Sequence, residues 1–134
     1  MAVAIPVGEY HGSVQVRSSL QGVSPAFTSV QLEVVPSFDL DVWPLFTGCG
    51  GCHFVGAGGE PPNLSTLLTT YQSLLGSGSG TQYVTPGNPD PAVSTLICSL
   101  LGVGCSIMPP APGTPLTAQQ IQLVKDWISG GALR

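Results

Sequence analysis

The hydrophobic and polar positions give the chain two parts with different periods. In the first part, residues 13–17 and 29–34 alternate apolar with polar side chains and are rich in β-branched residues. Alternation of period two is typical of half-buried strands. Glycines and prolines flank both segments. The pattern therefore predicts an N-terminal β-rich arm or hairpin over residues 1–37.

From residue 38 onward the apolar positions recur at helical spacing, and turn-forming residues separate the periodic segments. The last segment is the best defined. Thr117 can cap it, Gln120 completes a capping box, and Leu116 can form a hydrophobic staple with Ile121. The predicted helices run from about residue 43 up to residue 49, over about 64–75, over about 91–101 and from 117 to 130. We expect residues 38–134 to form one mainly α domain.

Composition limits the partners that the chain can have. Charged residues make up 7% of the sequence, against about 25% in typical proteins, and the net charge is −4. Arg17, Lys125 and Arg134 are the only cationic residues besides histidine, which leaves no basic patch for nucleic acid or an anionic membrane surface. No run reaches the roughly 18 apolar residues of a membrane span. We expect neither a nucleic-acid partner nor a transmembrane segment.

Cys49-Gly50-Gly51-Cys52-His53 is the most informative motif of the sequence. Two thiols three positions apart, followed directly by an imidazole, form the pattern that attaches a haem covalently. The thiols add across the two vinyl groups of the porphyrin, and the imidazole becomes an axial ligand of the iron. The motif therefore predicts a c-type haem site.

Other uses of these cysteines stay open on the motif alone. A thioredoxin-like dithiol would need a strand before the motif and a long helix after it, whereas a glycine-rich loop over residues 56–62 is expected here. A zinc site would have to take Cys98 or Cys105 as its fourth ligand, although that pair lacks the short spacing usual for structural zinc. A structural disulfide between Cys49 and Cys52 is the third alternative.

Met108 is a candidate for the second axial position of a haem iron. It and Met1 are the only methionines, and Pro109 follows it directly. A residue before proline is restricted to extended backbone, and a stiff loop favours ligation by a weak thioether. A methionine that fills a gap in the core is the alternative.

Several motifs follow one another in order from residue 38 to the end of the sequence. They are residues 38–46, the Cys-Gly-Gly-Cys-His motif, residues 84–89 with Ser94 and Leu96, residues 108–110, residues 116–117 and residues 127–132. This order resembles the planctomycete-type cytochrome c domains, a branch of the class I cytochrome c fold. The resemblance implies a mainly α, class I-like helical haem domain over 38–134, preceded by the N-terminal β-strand arm of residues 1–37. It also implies that Cys49, Cys52 and His53 bind one haem c and that Met108 is the distal ligand.

The pair Cys98 and Cys105 and the segment 1–37 depart from that resemblance. Four cysteines suit an oxidising compartment. With two of them on the haem, Cys98 and Cys105 are left to form a disulfide, and two reduced thiols are the alternative. The start of the sequence lacks the features of a signal peptide, and we expect a mature chain whose export signal has been removed. The expected location is extracytoplasmic: the periplasm, the cell surface or an extracellular filament.

One-electron transfer is the function that these features indicate, and no enzymatic activity is expected. Two protein ligands on the iron leave no position for a substrate. The alternative is a haem c module of an oxidoreductase or of a peroxidase-type complex. His11, the only histidine besides His53, is the alternative distal ligand.

Redox proteins are the expected partners of such a chain, together with further copies of itself. Two or three short strands cannot bury enough surface to be stable alone. The arm is therefore expected to pair with the sheet edge of a neighbouring subunit, as in an extracellular cytochrome polymer. A hairpin within the chain that covers the haem is the alternative.

Overall fold

The computed structural model describes residues 8–16, 22, 26–77 and 81–134. The chain divides into two compact units, Met1–Val35 and Pro36–Arg134. The described residues are mainly helical, so the helical class predicted from the periodicity is confirmed. None of the described helices combines the length and the apolar character that a membrane span needs.

The described residues of the first unit form two antiparallel strands, β1 (Gly8–Val16) and β2 (Ala26–Val34). They pair in register from Gly8 opposite Val34 to Val16 opposite Ala26. Both strands extend beyond the alternating segments of the sequence, because backbone pairing continues through residues whose side chains do not alternate. Residue 17, at the end of the first predicted segment, lies outside the described residues.

The second unit opens with two short helical turns instead of one helix. A π-helical turn, Phe38–Val42, is capped by Ser37, whose side chain accepts a hydrogen bond from the backbone of Leu40. A 3₁₀ helix, Trp43–Phe46, follows with Pro44 in its first turn, where a missing N–H costs nothing. Val42 and Phe46 are buried. The helix predicted from residue 43 to the cysteine motif therefore ends early and leaves the motif on a turn of its own.

Helix α1 (Leu67–Leu74) begins later than the predicted start at residue 64. The Asn63 side chain accepts hydrogen bonds from the backbone and the hydroxyl of Ser65, over 3.1 and 2.6 Å. These local bonds compete with helix formation. Thr66 then caps the helix in a capping box with Thr69.

Helix α2 (Thr95–Leu101) also starts later than predicted. Asp90 closes a turn first, since its side chain accepts from Ala92 N–H over 2.8 Å and its carbonyl from Ser94 N–H over 2.7 Å. The Ser94 hydroxyl accepts from Thr85 N–H over 2.9 Å and donates to the carbonyl of Asn88, so it is turned toward the preceding loop and does not cap the helix. Gly102 ends α2 in the left-handed conformation, with φ 64°.

Helix α3 (Ala118–Ser129) confirms the prediction for the last segment. Thr117 and Gln120 form the capping box, with Gln120 Oε1 accepting from Thr117 N–H over 2.8 Å. The predicted apolar face is buried and consists of Ile121, Val124, Trp127 and Ile128. Leu116 packs against the same core, as the staple requires.

The core of the second unit is closed by the last residues of the chain. The Phe38 ring lies 5.1 Å from Tyr71 and 5.3 Å from Trp127, measured between ring centroids. The carbonyl of Leu133 accepts from Phe38 N–H over 3.1 Å and from the Trp127 indole over 2.8 Å. The Tyr71 hydroxyl donates to the carbonyl of Ala132 over 3.1 Å. These bonds join the first turn, α1 and α3 at one point.

Candidate cofactor site

The two cysteines and the histidine of the motif are presented by one tight turn. Cys49–Gly51 forms a single 3₁₀ turn. The carbonyl of Cys49 accepts from Cys52 N–H over 3.2 Å and from His53 N–H over 3.0 Å. The backbone of Cys49 therefore fixes the positions from which the other two side chains project.

Both thiols of the motif are free, and they differ in environment. Cys49 is half-buried and packs against the hydrophobic core, whereas Cys52 is exposed. Burial raises the pKa of the Cys49 thiol, and the neighbouring Cys52 raises it further. Cys49 and Cys52 form no disulfide with each other, so both sulfurs are able to form bonds to a ligand.

The imidazole of His53 is held by a backbone carbonyl. Its Nδ1 lies 3.1 Å from the carbonyl oxygen of Glu60. Since a carbonyl can only accept, Nδ1 carries a proton, and in the neutral ring Nε2 is then the nitrogen with the lone pair. A histidine that binds a metal usually donates its other N–H to such an acceptor, which fixes the tautomer and the orientation of the ring.

The loop after the motif folds back so that Glu60 reaches His53. Glu60 N–H donates to the carbonyl of Cys52 over 3.0 Å, and Leu64 N–H donates to the carbonyl of His53 over 2.8 Å. Gly59 is required for this path, because a Cβ there would collide with the carbonyl of Phe54. The sequence marked this segment as a glycine-rich loop but gave no sign that it returns to the histidine.

Gly50 brings the motif itself close to the start of the next segment. A Cβ on Gly50 would lie 2.9 Å from the carbonyl oxygen of Leu64 and 3.0 Å from Cα of Ser65. Gly51, the neighbouring position, has no heavy atom within 4 Å of such a Cβ. The two glycines of the motif therefore have different roles, and only the first is needed for packing.

Two alternative uses of the motif do not fit this geometry. Cys98 and Cys105 form a disulfide, as predicted, so neither offers a thiolate to complete a zinc site. Within the described part of the chain, no three His, Cys, Asp or Glu side chains cluster in a way that would hold a metal ion. A thioredoxin-like dithiol needs a helix directly after the motif, whereas the next helix here starts at Leu67.

The two candidate distal ligands come from different parts of the molecule. Met108 is half-buried, follows α2 in the second unit, and donates its N–H to the carbonyl of Ser99 over 2.8 Å. His11 lies in β1, opposite Gln31, in the first unit. Its side chain lies outside the described part of the structure. The second unit thus contains four of the five candidate residues, three of them on one turn.

No protein-family model, curated protein or solved structure matches the chain. The site is therefore interpreted from its own donors. Two unpaired thiols three positions apart, an imidazole with a free Nε2 and a methionine in the same unit fit the chemistry by which a haem is attached and ligated.

Proposed function

We propose that the second unit carries one covalently attached haem c and serves in one-electron transfer. The observation that carries the proposal is the His53 ring, whose Nδ1–H donates to the Glu60 carbonyl directly after two free thiols. That hydrogen bond leaves Nε2 of the neutral ring available to a further ligand, as in histidines that bind a metal. Neither a structural disulfide nor a buried core histidine would need this combination.

Each site residue has a distinct part in this proposal. Cys49 and Cys52 would form the two thioether bonds, and His53 and Met108 would be the axial ligands. A haem bound in this way supplies an iron that changes between the ferric and ferrous states, and His/Met ligation raises its potential. The Glu60 carbonyl keeps the imidazole oriented. The protein would act as a carrier and not as an enzyme, because both axial positions would be filled.

We further propose that the helical unit belongs to the class I cytochrome c type. Its support is the order of elements: the cysteine turn, the two short helices α1 and α2, the Met108 segment and α3. The packing of Trp127 on Phe38 brings the last helix against the first turn, which would help to hold a cofactor pocket closed.

The proposed location is extracytoplasmic, and the proposed partners are redox proteins and further copies of the chain. A disulfide between Cys98 and Cys105 is typical of oxidising compartments. In the described residues, β1 and β2 pair only with each other. An outer edge of such a hairpin offers unpaired backbone groups to a strand of a neighbouring subunit, so a polymer or filament could form through it.

Haem attachment is tested by the mass of the intact protein. The chain is produced in cells that have a cytochrome c maturation system, and its mass is measured under denaturing conditions. The native protein is expected to carry the mass of one haem, and the variant Cys49→Ser/Cys52→Ser is expected to carry none. Cys98→Ser/Cys105→Ser is the matched control, because it also loses two cysteines but should keep the haem. A native protein without the added mass would overturn the proposal.

The distal ligand is tested by the far-red absorption band that a methionine sulfur on ferric iron produces. We expect this band in the oxidised native protein and in His11→Ala, and its loss in Met108→Ala. Absence of the band in the oxidised native protein would overturn the methionine ligand and leave His11 as the alternative. The Soret absorption serves as the control, since all three proteins should retain the attached haem.

A further inference from the structure

Two links fasten the Met108 segment to helix α2. The Cys98–Cys105 disulfide joins the helix to the following loop, with Cα atoms 5.6 Å apart. Met108 N–H donates to the carbonyl of Ser99 over 2.8 Å. The two links start from adjacent residues of the helix, so the loop is held both in its middle and at its end.

Few other contacts restrain this loop. Gly102 and Gly104 have φ values of 64° and 81°, which let the chain turn back but also leave it flexible when it is not held. Val103 and Ile107 are 66% and 45% exposed. A Cβ on Gly102 would lie 3.0 Å from Cβ of Ile107, so the loop folds over the end of α2 with little buried apolar area. Burial alone is a weak restraint here, and the disulfide is the strongest one.

We propose that the Cys98–Cys105 disulfide positions the Met108 thioether as an axial ligand. The proposal rests on the function proposed above and adds a dependence on the redox state of the two thiols. Reduction of the disulfide would weaken the methionine ligand, while Cys49 and Cys52 would keep the haem attached. The iron site would then respond to dithiols in its compartment.

The reduction is an ordinary thiol–disulfide exchange with a dithiol as the reductant. The Cys98–Cys105 bond breaks, and each of its sulfurs takes up one electron and one proton. The dithiol closes to its own disulfide and gives up two electrons and two protons. In the holoprotein these are the only two cysteines that can react, since the other two of the four carry the haem.

Carbon monoxide binding by the ferrous protein gives the main readout. Ascorbate reduces the iron and leaves the disulfide intact, whereas dithiothreitol reduces both. Carbon monoxide can bind only while the thioether is off the iron. The rate of carbon monoxide binding therefore follows the fraction of molecules in which the methionine has dissociated. We expect the rate in dithiothreitol to be at least about tenfold higher than in ascorbate. Cys98→Ser/Cys105→Ser should show the faster rate in both reductants.

A second readout does not depend on the ligand at the iron. The Met108 amide is protected from hydrogen exchange by its bond to Ser99. The two bridged cysteines have a sequence separation of 7. When the bridge is opened, the loop regains conformational freedom, and exchange of this amide should become faster by up to roughly 70-fold. Val103→Ala is the matched control, because it changes the same loop without touching the bridge, and it should behave as the native protein.

The outcomes separate this proposal from the one on which it rests. A slow native rate that stays unchanged in dithiothreitol, with both thiols shown to be free by mass, would overturn the positioning role of the disulfide alone. If the variant Cys98→Ser/Cys105→Ser fails to fold, hydrogen exchange is measured on the reduced native protein instead. Exchange of the Met108 amide that did not change on reduction would also overturn the positioning role of the disulfide. A native protein that binds carbon monoxide as fast as Met108→Ala in ascorbate would overturn the methionine ligand and this proposal together.

Discussion

At the scale of single residues, the geometry of the site depends on backbone hydrogen bonds and on glycines that lack a Cβ as much as on the side chains of the motif. The ring of His53 is oriented by a main-chain oxygen of Glu60, and Gly59 allows that loop to close. Gly50 lets the cysteine turn pack against Leu64 and Ser65. Substitutions at these supporting positions should therefore change the stability or the geometry of the site, although none of these residues is a candidate ligand.

The two glycines of the motif provide a direct comparison. Gly50→Ala is expected to destabilise the protein by about 1–3 kcal/mol, because its Cβ meets backbone atoms that must move. Gly51→Ala meets open space and should change stability by less than about 0.5 kcal/mol. Urea unfolding of the two variants, followed by circular dichroism, measures the difference. Equal midpoints would show that the turn moves aside without cost.

The candidate side chains of this site stand out in the sequence, whereas the groups that support them do not. Cys49, Cys52 and His53 form a motif because covalent attachment of a haem would need those residue types at that spacing. The acceptor for His53 is a carbonyl, which every residue has, so nothing in the identity of Glu60 indicates its role. Gly59 lies in a glycine-rich stretch, which predicts a loop. The sequence does not show that this loop folds back to His53, because that path depends on contacts with residues outside the loop.

At the scale of elements, helix starts depend on local competition for backbone hydrogen bonds. α3 starts where the sequence predicts it because Thr117 and Gln120 satisfy its free N–H groups. α1 and α2 start later than predicted because the side chains of Asn63 and Asp90 bind the backbone first. Apolar spacing predicts which residues of a helix face the core, but it does not show which polar side chain will end the preceding turn.

Removal of the α3 cap should destabilise the whole second unit. Thr117→Ala is expected to lower the free energy of unfolding by about 1 kcal/mol, since an N-terminal N–H of the helix loses its acceptor. Gln119→Ala, at an exposed position of the same helix, should cost less than about 0.5 kcal/mol. Thermal unfolding of both variants measures this. A Thr117→Ala protein as stable as the Gln119→Ala control would contradict the role of the cap.

At the scale of the whole molecule, the scarcity of charge limits the electrostatic attraction that the chain could exert on a partner. Only 7% of the residues are charged, and no charged residue occurs between Asp90 and Lys125. This interval includes α2 and the Met108 segment. Long-range attraction between opposite charges, which accelerates many encounters between redox proteins, therefore has little to act on around the proposed distal ligand.

For the proposed haem protein, electron exchange with small reagents should accordingly depend weakly on salt. Oxidation of the ferrous protein by anionic hexacyanoferrate and by a cationic cobalt phenanthroline complex is expected to change by less than about threefold between low and high ionic strength. Stopped-flow absorption measures both rates. Val103→Lys, which adds a positive charge at an exposed position of the loop between α2 and Met108, should make the hexacyanoferrate rate fall as salt rises. A steep salt dependence of the native protein would contradict this expectation.

The hydrogen bonds at Ala132 and Leu133 have a consequence for proteolysis. Phe38, Tyr71 and Trp127 all find their acceptors in these two residues. A protease that cut the chain before Ala132 would leave three donors of the core without acceptors, which is costly away from water. Such a cut should therefore unfold the second unit as a whole instead of loosening one end of it.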